Sequence, residues 1–164
     1  MNRKIVRKAK TISLKRKEKS KMAASTTLEQ GNKVVYRRFL EEIFNEGQLH
    51  KLDELIAPSY VLHDAPPGTP KGREAIRQVV TMFRSAFPDL KVVIEEMIAE
   101  GNKMCVRATT RGTHKGTIFG IPATGKAVAM TGLTTVRDGR LVESWVKNDV
   151  MGLMKQLGGD QKKS

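Results

Sequence analysis

The chain has 164 residues, 39% hydrophobic and 29% charged, which suits one compact domain that buries roughly two thirds of the surface its unfolded chain exposes. No apolar run approaches the roughly 18 residues that cross a bilayer, and the N-terminus carries no apolar signal core; Cys105, the single cysteine, excludes an internal disulfide and a cysteine metal cluster. The net charge of +13 is unevenly spread, because residues 1–22 hold ten Lys or Arg against Glu18 alone, a local +9 that leaves +4 for the remainder.

In this basic stretch Ile5, Val6, Ile12 and Leu14 are the only large apolar residues before Met22, so self-repulsion predicts a disordered or transiently helical extension over residues 1–22. Three readings of it stay open. It is a solvated extension, with Met22 as a second start ahead of the polar "AASTTLEQ". Or it is an arm that neutralises nucleic-acid phosphates or anionic lipid, or a targeting peptide.

The folded domain is expected over residues 23–159, with a polar tail over 160–164. Leu28, Val35, Phe39 and Ile43 recur at helical spacing, and Asn45 to Gly47 supplies the stop. A shorter helix over Leu49 to Ile56 is expected to end at Pro58. "SYVLHD" then reads as a brief strand before the loop "APPGTPKG". A third helix begins near Gly72, buries Ile76, Val80, Phe83 and Phe87, and stops at Pro88.

From Leu90 the period changes from 3.6 to 2. Four strands are expected, over Leu90–Glu100, Lys103–His114, Ala127–Arg137 and Arg140–Asp149. Gly101-Asn102 and Asp138-Gly139 have the composition of two-residue hairpin turns, so the sheet reads as mostly antiparallel. A last helix starts at Val150 and stops at Gly158-Gly159. Helices followed by long strands predict an α+β domain, a curved sheet wrapped around N-terminal helices into a cone-shaped barrel with room for a ligand.

Within this frame "RGTHKGTIFGIPATGK" and "DGRLVESWVKNDVMGLMKQLG" resemble the SnoaL-like polyketide cyclases, or ester cyclases, of the nuclear-transport-factor-two-like superfamily, over about Leu28 to Gly158. The resemblance implies an α+β cone with a closed apolar pocket and cofactor-independent chemistry on polyketide esters. In such cyclases an acidic carbon loses a proton and an intramolecular aldol condensation closes a ring. The carboxylate that matches the acid/base residue is Asp149.

The same chemistry can be argued from residue types. A carbon flanked by carbonyls needs only a base of suitable pKa, a donor for the enolate oxygen and a confining shape. Burial beside Trp145 and Val146 would raise the Asp149 pKa; as N-cap of the following helix, Asp149 would instead stay charged at a surface. Alternation puts Glu143, Trp145, Lys147 and Asp149 on one face, which makes Glu143 and Trp145 candidate pocket residues. His63 and His114 are candidates for proton transfer, His63 with Asp64 as a possible orienter. The alternative for His114 is to anchor the "GTIFGIPATG" loop, whose Phe119 is a further pocket candidate. Arg107 either binds an ester or carboxylate in the pocket or pairs with an acid such as Glu96.

No zinc-binding spacing, phosphate-cradling loop or "GxSxG" elbow occurs, so neither metal nor cofactor is expected. The expectation is a cytoplasmic, homodimeric, cofactor-free cyclase or isomerase acting on a small apolar keto-ester. Two alternatives stand beside it: a non-catalytic binding or dimerisation module of the same fold, and a binder of nucleic acid or anionic surfaces through residues 1–22.

Overall fold

The structure, a computed structural model, describes residues 3–63, 65, 68–137 and 140–158, with side chains from Ile12 onward except that of Arg137. Helix α1 spans Arg3–Arg38 and runs on through a π-helical turn, Phe39–Asn45. After a 3₁₀ turn, Leu49–Lys51, come α2 (Leu52–Leu55), β1 (Ile56–His63) and α3 (Arg73–Ala86). Four strands follow, β2 (Lys91–Glu100), β3 (Lys103–Thr113), β4 (Ala127–Arg137) and β5 (Leu141–Asn148), and then α4 (Val150–Leu157).

Helix α1 has two regimes. From Tyr36 through Phe39, Leu40 and Ile43 it buries one face against the sheet, whereas Ile12 to Ala24 are exposed throughout. Leu28, expected in the buried stripe, is 45% exposed. The sheet ends beneath it: Glu29 accepts the Gly101 N–H of the β2–β3 turn at 2.9 Å, and Asn32 Nδ2 donates to Gly101 O at 3.4 Å. N-terminal to that turn the helix overhangs the sheet, and its described side chains from Ile12 to Ala24 face solvent.

Pro58 lies inside β1 and does not close the preceding helix. An edge strand tolerates proline because its outward N–H is not needed for pairing. β1 runs parallel to β5, with Leu62 opposite Ser144 and His63 opposite Trp145. The other pairings are antiparallel, in the order β1-β5-β4-β3-β2. The sheet is therefore mixed but mostly antiparallel, as expected, and open, with β1 and β2 as its edges. The Asp138-Gly139 turn lies outside the described residues.

The curved sheet covers α1 and α3 with one face. Met104, Val106, Met130 and Val136 supply the sheet side of the core; Ile76, Val80 and Phe83 supply that of α3. Two arginines of α3 tie the helices together through backbone oxygens left free at chain turns. Arg73 Nε donates to Ile56 O at 2.8 Å, and Arg84 Nη1 donates to the Phe44 and Asn45 carbonyls at 2.9 and 2.7 Å.

Candidate functional site

Between the inner face of the sheet and the helices lies a cavity of 390 Å³. Phe39 and Phe44 wall it from the π-helical turn, Val79 and Met82 from α3, and Ala108, Met130 and Val146 from the strands. The polar groups on these walls are mostly hydroxyls. Tyr60 shares a hydrogen bond with Ser144, and the Tyr36 and Thr134 hydroxyls line the same hollow. Burial pushes the Tyr60 phenol up to about 12 and raises that of Tyr36 further, so both are neutral near pH 7. Among the described residues that line the cavity there is no Asp or Glu.

Asp149 is exposed, and its carboxylate accepts the Gly152 N–H at 2.8 Å, which makes it the N-cap of α4. Of the two readings of Asp149, a shielded base or a surface cap, the geometry is that of the cap. Alternation along β5 turns Ser144, Val146 and Asn148 inward, and the four unpaired N–H groups at the start of α4 favour an acceptor at the next position.

Trp145 is on the outer side of the same wall, in a shallow groove of 260 Å³ with Lys103 and Thr135. His63 lies flat on it, ring centroids 4.1 Å apart and planes parallel, and places Nε2 3.0 Å from Glu143 Oε2. So Trp145 and Glu143 do not wall the interior; they hold His63. That histidine and Lys147 also border the cavity, which puts the His63–Glu143 pair at its rim. Asp64 lies outside the described residues; the carboxylate that meets the His63 ring is that of Glu143.

Arg107 points away from the cavity and pairs with Glu96 at 3.7 Å, both side chains being about half exposed. His114 is fully buried but does not line the cavity. Thr124 N–H donates to its Nδ1 at 3.2 Å, and the Thr124 hydroxyl lies 3.0 Å from the same atom. The ring thus anchors the loop between β3 and β4. Of the candidates on that loop, Phe119 does reach the cavity, where it meets Phe83 edge to face with centroids 6.3 Å apart.

Sequence reasoning missed the hydroxyl pair. Tyr60 sits in "SYVLH" and Ser144 in "VESWV"; only the inward parity of β1 and β5 marks them, and their pairing spans 84 residues of chain. Among the described residues no cluster of three or more His, Cys, Asp or Glu side chains is placed to hold a metal ion, and no helix is long and apolar enough to cross a membrane.

An open mixed sheet folded over N-terminal helices, with an apolar hollow between them, defines the nuclear-transport-factor-two-like class. Within that class the chain belongs to the SnoaL-like polyketide cyclase family, whose model matches residues 34–157. IdmH from Streptomyces antibioticus, described as a candidate polyketide cyclase, is 36% identical with a TM-score of 0.68 over 77% of this chain and 98% of its own. A candidate polyketide cyclase from Acidithiobacillus ferrooxidans is 31% identical, TM-score 0.69, over 79% and 95%. TsrD from Streptomyces laurentii is 29% identical, TM-score 0.72, over 79% and 96%. AclR from Streptomyces galilaeus, described as a candidate hydroxylase, shares the fold at 22% identity and a TM-score of 0.68 over 80% and 98%. No curated protein matches the chain.

Proposed function

We propose that the cavity binds a small, neutral, mainly apolar carbonyl compound, and that the protein moves a proton on the carbon beside that carbonyl without a cofactor. The observation that carries this reading is a hollow lined by apolar side chains and hydroxyl groups, with a His63–Glu143 pair at its rim. A cationic ligand buried in such a hollow would lose its hydration with no carboxylate on the described walls to replace it. A carbonyl oxygen, by contrast, can accept from Tyr60, Ser144, Tyr36 or Thr134, and the bond strengthens as the oxygen gains charge in an enolate.

The base in this reading is His63. A neutral imidazole that donates Nε2–H to Glu143 carries its lone pair on Nδ1, and the carboxylate stabilises the imidazolium formed when a proton arrives. Asp149, occupied as a helix cap, has no part in it. The polyketide cyclase names of the relatives fit a substrate of this kind, with ring closure as the use made of the enolate. Val61, Ile98 and Leu133, exposed on strands of the sheet, form the surface on which we place a second copy of the chain.

The test is hydrogen–deuterium exchange at the activated carbon of β-keto esters that bind, followed by NMR. Exchange catalysed by the wild type and lost in His63→Gln supports the reading; full exchange by His63→Gln removes His63 as base. Binding with no catalysed exchange by any ester would leave a second reading, a pocket protein without turnover. That reading is favoured by the one feature that sits badly with catalysis, the lack of a carboxylate on the described cavity walls.

A further inference from the structure

The loop between β3 and β4 is pinned at its base and strained at its tip. His114 N–H donates to Lys126 O at 2.9 Å and Gly125 N–H to His114 O at 2.9 Å, which closes the neck. Lys115 and Gly116 N–H groups both donate to Ala86 O, at 2.8 and 3.0 Å, which fastens one arm to the end of α3. Gly116 is needed there, since a Cβ would stand 2.3 Å from Ser85 O. Buried Ile118 and half-buried Ile121 then exchange two backbone hydrogen bonds of 3.1 and 2.8 Å around Phe119 and Gly120.

Both residues of this two-residue turn have positive φ, +50° for Phe119 and +75° for Gly120. That is the dihedral pattern of a type I′ turn, which selects Asn, Asp or Gly at the first position because a side chain there crowds the following carbonyl. Phe119 is the one non-glycine residue with positive φ among the described residues. Local chain energetics thus disfavour the residue found. Core packing does not account for it either, since Phe119 is 42% exposed. What the strained conformation does achieve is to place the ring at the edge of the cavity against Phe83. A strained backbone is a reason to look for function at that position.

We propose that Phe119 is the access-determining residue of the cavity: its ring, held over the mouth by the pinned loop, sets how long an apolar ligand is retained and how large a ligand enters. This rests on the cavity being the ligand site. Strain and ring placement are separable, because Asn and Gly both suit the dihedrals and neither can cover the mouth.

The experiment is stopped-flow release of N-phenyl-1-naphthylamine, a neutral apolar fluorophore, from the wild type, Phe119→Gly and Phe119→Asn. Melting temperatures are measured alongside, and Val146→Phe serves as a cavity-filling control. The expected result is binding that Val146→Phe abolishes, together with release on the order of tenfold faster in both Phe119 variants and melting temperatures equal to or above that of the wild type. Unchanged release with retained binding overturns the role of Phe119 and leaves the cavity reading standing. Wild-type binding that Val146→Phe does not affect, or no binding at all, overturns both.

Discussion

His63 stacks face to face on Trp145 at 4.1 Å, on the outer side of the wall whose inner side carries Ser144 and Val146. Trp145 is the only tryptophan, so its emission reports on this one contact. His63→Gln removes the stacked ring and should change that emission, in intensity or in wavelength. Emission identical to that of the wild type would contradict the stack.

Asp149 separates capping from chemistry. Asp149→Ala removes the acceptor for Gly152 N–H and is expected to cost about 1 kcal/mol, whereas Asp149→Asn, itself a good cap, should stay within a few tenths. Exchange activity should survive both. Urea unfolding gives the first pair of numbers; loss of exchange in the well-folded Asn variant would return Asp149 to the catalytic role.

The Tyr60–Ser144 pair predicts non-additivity. Ser144→Ala leaves a buried phenol without its hydrogen-bond partner, at an expected cost of about 1–3 kcal/mol, while Tyr60→Phe combined with Ser144→Ala removes both partners and should cost less than the sum of the single changes. A double-mutant cycle in chemical denaturation checks this. Additive effects would mean that the two hydroxyls do not interact.

Tyr36 and Tyr60 are the only tyrosines, and burial is the leading cause of the raised pKa of each. The native protein should therefore show no tyrosinate absorbance near pH 10, where the unfolded chain ionises. Because the folded pKa of Tyr60 is raised, its contribution to stability is complete below about pH 10 and is lost as pH climbs toward about 12. Absorbance at alkaline pH should rise together with unfolding. A phenol that titrates at its ordinary value in folded protein would contradict its burial.

Glu42 gives the acid counterpart. Hydrogen bonds from Arg38 and then Lys51 lower its pKa from 4.5 to about 2, so its contribution is present above about pH 4.5 and disappears as pH falls toward about 2. Glu42→Gln should be less stable than the wild type by under about 1 kcal/mol at neutral pH, with the gap closing across that window in acid titrations followed by circular dichroism.

Periodicity made β2 to β5 and α3 legible nearly to the residue, because each buries one face and its apolar spacing says so. Pro58 and Leu28 mark where that reasoning stops. Whether a proline ends a helix or sits on an edge strand, and whether a helix still has a sheet beneath it, depend on partners far along the chain. The same holds for β5. Its alternation was plain, yet hydrophobic weight argued for turning Trp145 inward, while the fold turns Ser144 inward and covers Trp145 with His63. The interior is chosen by pairing with β1 and β4, and neither pairing leaves a local mark. Asp149 shows the converse: its capping role was legible from five residues, "NDVMG", and needed no tertiary information.

Alternation along β5 also bears on how such a protein can change. Positions 144, 146 and 148 meet whatever occupies the hollow, positions 143 and 145 meet whatever approaches from outside, and Lys147 at the rim meets both. One short segment therefore answers to two selective pressures that interfere little: drift at 144, 146 and 148 retunes ligand preference, drift at 143 and 145 retunes contacts with the surroundings, and a single-residue slip would exchange the two at a stroke.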